Sequence, residues 1–77
     1  MRDTVDYQEW VRFGNRLREL RNRCGVTQTA LAKSLGFTHP SSICNIEKGR
    51  RPVDDEEMSR LAAVLNCGIG ELSGSRD

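Results

Sequence analysis

Seventy-seven residues with a hydrophobic content of 36% make one small domain with one core, and leave little room for a buried active-site cleft. No apolar run approaches the ~20 residues of a membrane-spanning helix and no basic-then-apolar segment resembles a signal peptide, so a soluble, cytoplasmic protein is expected. The net charge of +1 hides an uneven layout: residues 10–53 carry nine basic groups against Glu19 and Glu47, net +7, and the rest nets −6, so one face suits polyanions and the other repels them.

Residues 1–5 lack periodicity and read as a flexible arm. Asp6 and Glu9 have the spacing of a capping box. After them Trp10, Phe13 or Gly14, Leu17, Leu20 and Cys24 recur at helical spacing until Gly25 stops the run. This predicts a first helix over residues 7–24. Tyr7 and Trp10 lie on its extension; Trp10 is expected to fold back on the domain's own core, the alternative being a place in a dimer surface.

Thr27 is a good N-cap for a second helix carrying Leu31, Ala32 and Leu35 on one stripe. Gln28 follows in the first turn, where unpaired backbone N–H groups favour an anion such as phosphate. Gly36 suits a left-handed helix end. A third helix is expected over about residues 39–47, capped by Thr38 or His39, with Pro40 tolerated in its first turn. Ile43 and Ile46 form its buried stripe. Its outer face carries Ser41, Ser42 and Asn45, groups suited to base edges: Asn matches adenine and Ser is permissive. His39, at the helix start, is a further candidate for DNA contact.

Asp54, Asp55, Glu56 and Glu57 precede the stripe Met58, Leu61, Ala62 and Leu65, as the dipole of a fourth helix favours. Asn66 closes that helix, Ile69 and Leu72 supply a last apolar turn over the core, and residues 74–77 form a tail, leaving a single domain over 6–73. Cys24, Cys44, Cys67 and His39 number enough for a zinc site, but no CxxC pair exists and the spacings fit none, so no metal is expected. Cys24 and Cys67 fall at predicted core positions, where free Cys acts as a small hydrophobe; Cys44 lies on the third helix.

The set LRELR at 17–21, G-V-T-Q-x-x-L-A from Gly25 to Ala32, Leu35-Gly36, and I-x-x-I-E-x-G-R from Ile43 to Arg50 resembles the helix-turn-helix of the Cro and phage-repressor family, also called the xenobiotic-response-element family. Six residues, FTHPSS, separate Gly36 from Ile43 where that family commonly has five. The resemblance implies an all-α, lambda-repressor-like bundle of four or five helices that regulates transcription by binding double-stranded DNA, probing the major groove with the third helix. Base contacts are expected from Asn45, Ser41, Ser42 and His39. Phosphate contacts are expected from Thr27, Gln28, Lys33, Lys48, Arg50 and Arg51. The family pattern also pairs Arg21 with Glu47 in a shielded salt bridge.

Too few contacts come from one such domain, so a homodimer on a pseudo-palindrome is expected, joined through helix 4 onward or through the helix 1 extension. No cofactor is expected. With one His, no Ser/His/Asp set and no phosphate-cradling Gly-rich loop, no enzyme chemistry is proposed. The alternative is an interaction protein such as an antitoxin, whose main partner is another protein and which binds DNA secondarily.

Overall fold

The apolar stripes converge on one core. In a computed structural model that describes the backbone of residues 2–73 and the side chains of residues 8–72, five helices follow in order: α1 Arg2–Cys24, α2 Gln28–Leu35, α3 Ser41–Glu47, α4 Asp55–Val64 and α5 Ile69–Ser73. No strand occurs among the described residues, so the fold is the expected all-α bundle. At eight and seven residues, α2 and α3 are too short to persist alone; burial holds them. Leu17 of α1, Leu31 of α2, Ile43 and Ile46 of α3, Leu61 of α4 and Leu72 of α5 are all fully buried. Each contributes about 1.5–3 kcal/mol relative to an exposed side chain. The packing pairs are α1 with α3 and α5, α2 with α3 and α4, and α4 with α5.

Local chemistry sets the ends. Thr27 Oγ1 accepts from the Ala30 N–H and starts α2. Asp54 and Glu57 form a reciprocal capping box that starts α4. At the end of α2, Gly36 takes φ 80° while the Gly36 and Phe37 N–H groups donate to the carbonyls of Lys33 and Ala32. This is a Schellman closure, and it turns the chain sharply toward α3.

Several expectations change in three dimensions. α1 begins at Arg2, so helical backbone runs through residues expected to be an arm. The Asp6 side chain of the expected capping box, the Tyr7 side chain and the 74–77 tail lie outside the described residues. Cys24 is exposed instead of buried. As the last residue of α1 it has run past the core, and its Sγ lies 3.4 Å from the Leu65 carbonyl oxygen. Cys67 is half-buried against the core, and burial, then Glu71 and Cys24, push its thiol pKa up. Ile69 stays largely exposed, and only Leu72 of the last turn covers the core. Trp10 packs back against the core, edge-to-face with Phe13 at 5.5 Å.

Candidate nucleic-acid interface

α3 is anchored on one side and open on the other. Ile43 and Ile46 are wholly buried and Glu47 nearly so. With 3.6 residues per turn, Ser41, Asn45 and Lys48 then fall on one line on the opposite side of the helix, at i, i+4 and i+7. Ser42 and Cys44 flank that line. Ser41 and Lys48 are exposed, and Ser42, Cys44 and Asn45 are half-buried. The line combines a hydroxyl, a carboxamide that donates and accepts, and an ammonium group, which is chemistry able to bond base edges and phosphates.

The start of α3 differs from expectation. Neither Thr38 nor His39 caps it: Pro40 occupies the N-cap with helical dihedrals and no side-chain cap bond, and the helix begins at Ser41. Having no N–H, Pro40 needs no partner there. The His39 carbonyl accepts from the Ser42 N–H, and its ring is exposed beside the helix start. The longer 37–42 turn is thus taken up before the helix, which leaves the register of Ile43, Asn45 and Ile46 intact.

A polar network fixes the other end. Arg21 Nε donates to Glu47 Oε2 at 2.5 Å and Nη2 to Oε1 at 3.3 Å, while Nη1 donates to the Val26 carbonyl at 3.0 Å. Gln28 Nε2 adds a third donor to Glu47, at 3.0 Å from Oε1. The Arg21 and Glu47 side chains are only 12% and 4% exposed. Such a pair needs its lone pairs and protons satisfied, and no buried side-chain polar atom among the described residues lacks a partner. Gln28 therefore spends an amide hydrogen inward, on Glu47, and the Ala30 N–H of the α2 first turn is spent on Thr27 Oγ1.

Close backbone approach sets the height of α3. A Cβ on Gly14 would sit 2.3 Å from the Glu47 carbonyl oxygen and 2.5 Å from that of Ile46. Gly49, at φ 78°, ends α3 in the left-handed conformation and abuts Val11. Sequence periodicity alone left Gly14 interchangeable with Phe13 as a stripe position. A lone glycine inside a helical run, a position that alanine would stabilise, was the available signal.

The predicted cations separate into two sets. Lys33, Lys48 and Arg50 are exposed and make no side-chain bond among the described residues. Arg51 is held: its Nη1 and Nη2 donate to the Glu57 carboxylate at 3.3 and 3.2 Å, and its guanidinium lies 4.7 Å from the centre of the Phe37 ring. That clamp ties the α2–α3 turn to the first turn of α4. The clamping roles of Phe37 and Glu57 escaped the sequence reading because the contacts join segments 14 and 6 residues apart in chain.

No grouping of three or more His, Cys, Asp or Glu among the described residues could hold a metal ion. No helix among them is long and apolar enough to cross a membrane.

A family model described as a helix-turn-helix domain matches residues 12–73. The structure is similar to that of the restriction-modification controller protein C.AhdI from Aeromonas hydrophila, with a TM-score of 0.78 and 38% sequence identity over 86% of this chain and 94% of that one. No curated protein sequence matches. With α2 and α3 forming the motif, and with the match spanning most of its length, the chain belongs to the helix-turn-helix family of DNA-binding transcriptional regulators.

Proposed function

We propose that two copies of this chain bind a pseudo-palindromic operator, each laying α3 in the major groove. Asn45 would take the N6 and N7 edge of an adenine, with Ser41, Ser42 and His39 toward neighbouring bases. Lys33, Lys48 and Arg50, with the α2 first-turn amides at Thr27 and Gln28, would meet phosphates on either side. Arg51 would act on the backbone chiefly by holding the turn. The carrying observation is the outward line Ser41–Asn45–Lys48 on a helix pinned from behind by Ile43, Ile46 and Glu47. The likeness to a restriction-modification controller extends the reading: the operator would govern a restriction-modification gene set, in the cytoplasm where that DNA resides.

Selection of bound sequences from a random duplex pool tests this. The expected product is a palindrome with half-sites about one helical turn, ~34 Å, apart. A pool that stays unenriched would overturn the reading and move weight to a protein partner.

A further inference from the structure

A cleft of about 180 Å³ opens on the side of the domain formed by α1 and α4, lined by Glu9, Trp10 and Phe13 of α1 and Met58 of α4. For scale, a cavity of about 150 Å³ accepts one benzene ring. The Trp10 and Phe13 rings stand at 85° with centroids 5.5 Å apart; Phe13 is 4% exposed and closes the floor, so the half-buried Trp10 ring is the aromatic wall open to a ligand. Met58 faces them with a thioether, a group that adapts to irregular shapes. Glu9 stands at the rim, exposed and without a bond or ion pair to any described residue.

An open indole wall with a carboxylate residue at the mouth fits one ligand chemistry. The indole face of Trp10 attracts a cation whose charge is spread over methyl groups, and desolvation inside the cleft strengthens that attraction. Glu9 adds opposite charge, and Asp54 and Asp55 precede Met58 at the start of α4, while Glu56 is engaged by Arg60 at 2.8 Å. A divalent metal would want several oxygen ligands, where one carboxylate and apolar walls are on offer. We propose that this cleft binds a small organic monocation of the quaternary-ammonium type. The DNA-reading face is on other residues, so the site stands whether or not the operator reading does.

Trp10 is the only tryptophan, so its emission reports on the cleft directly. The full-length chain, free of DNA, is titrated with choline at constant ionic strength. It is then titrated with the uncharged analogue in which a tert-butyl group replaces trimethylammonium. Choline should give a saturable change, and the neutral analogue should bind about tenfold more weakly, since it loses both the cation–π and the Glu9 attraction. Glu9→Gln, at an exposed position that leaves the far-ultraviolet circular dichroism unchanged, should weaken choline by about threefold and leave the neutral analogue unaffected. Equal binding of charged and neutral analogues would overturn the cationic specificity. An emission that ignores both ligands would overturn the site, as would one that shifts with protein concentration alone, which marks a second copy as the occupant.

Discussion

Arg21 and Glu47, 26 positions apart in the chain, meet through two guanidinium nitrogens on two carboxylate oxygens, almost sealed from water. The bond joins the end of α1 to the end of α3 and so orients the helix that carries Asn45. Glu47→Ala leaves Arg21 and Gln28 without their acceptor, and is expected to cost about 3–5 kcal/mol of stability. Arg21→Lys should recover little of an Arg21→Ala loss, because an ammonium cannot span both oxygens and the Val26 carbonyl. Urea unfolding of the three variants checks this; a loss under ~1 kcal/mol for Glu47→Ala would show that the pair contributes no more than a surface bridge.

Gly14 predicts a second effect on the same helix. A methyl there meets two backbone oxygens, which cannot swing aside as a side chain would. Gly14→Ala should destabilise by about 1–3 kcal/mol through overpacking, against the sub-kcal gain alanine normally brings to a helix interior. Displacement of α3 should also weaken DNA binding at temperatures where the variant remains folded. Thermal unfolding alongside a duplex-binding assay separates the two outcomes, and a stabilised variant with unchanged binding would contradict the crossing geometry.

On the proposed reading, Asn45 and Arg50 divide the labour of recognition. Asn45→Ala should lose roughly 1–3 kcal/mol on the best operator and relax preference at one base pair per half-site. Arg50→Ala should weaken every duplex alike. Both variants are measured against a panel of single-base operator substitutions. Uniform weakening by Asn45→Ala would assign it to positioning and not to base reading.

Salt dependence separates the free cations from the clamped one. Lys33, Lys48 and Arg50 in two subunits would neutralise about six phosphates, giving a slope of log K against log salt near −5. Each of these to Ala should flatten the slope. Arg51→Ala should leave the slope nearer its starting value and instead lower stability by about 1 kcal/mol, since it removes the Glu57 bridge and the Phe37 stacking at a partly exposed site. A slope near zero for the parent chain would count against DNA as the principal ligand.

What the sequence determined by itself was whatever depends on near neighbours in the chain. Leu31, Ala32 and Leu35, or Ile43 and Ile46, declare their helices because side chains three and four apart share a face. Thr27 and Gly36 declare the ends of α2 because capping is a bond within one turn, and the Asp54–Glu57 box starts α4 for the same reason. These local signals, with the motif pattern, were enough for the fold class and for DNA as the ligand. Tertiary structure alone decided how each polar group is spent. Gln28 turns an amide hydrogen inward because Glu47, 19 residues on, lies 3.0 Å away. Arg51 is drawn onto Phe37 and Glu57 and leaves the set of free cations. Cys24 continues an apolar stripe yet is exposed, because burial depends on what packs opposite and not on spacing. Gly14 reads as one more helix residue until the α3 carbonyls arrive against it. Each of these depends on a distance between separate elements, and a one-dimensional pattern carries no such distance until the core has closed.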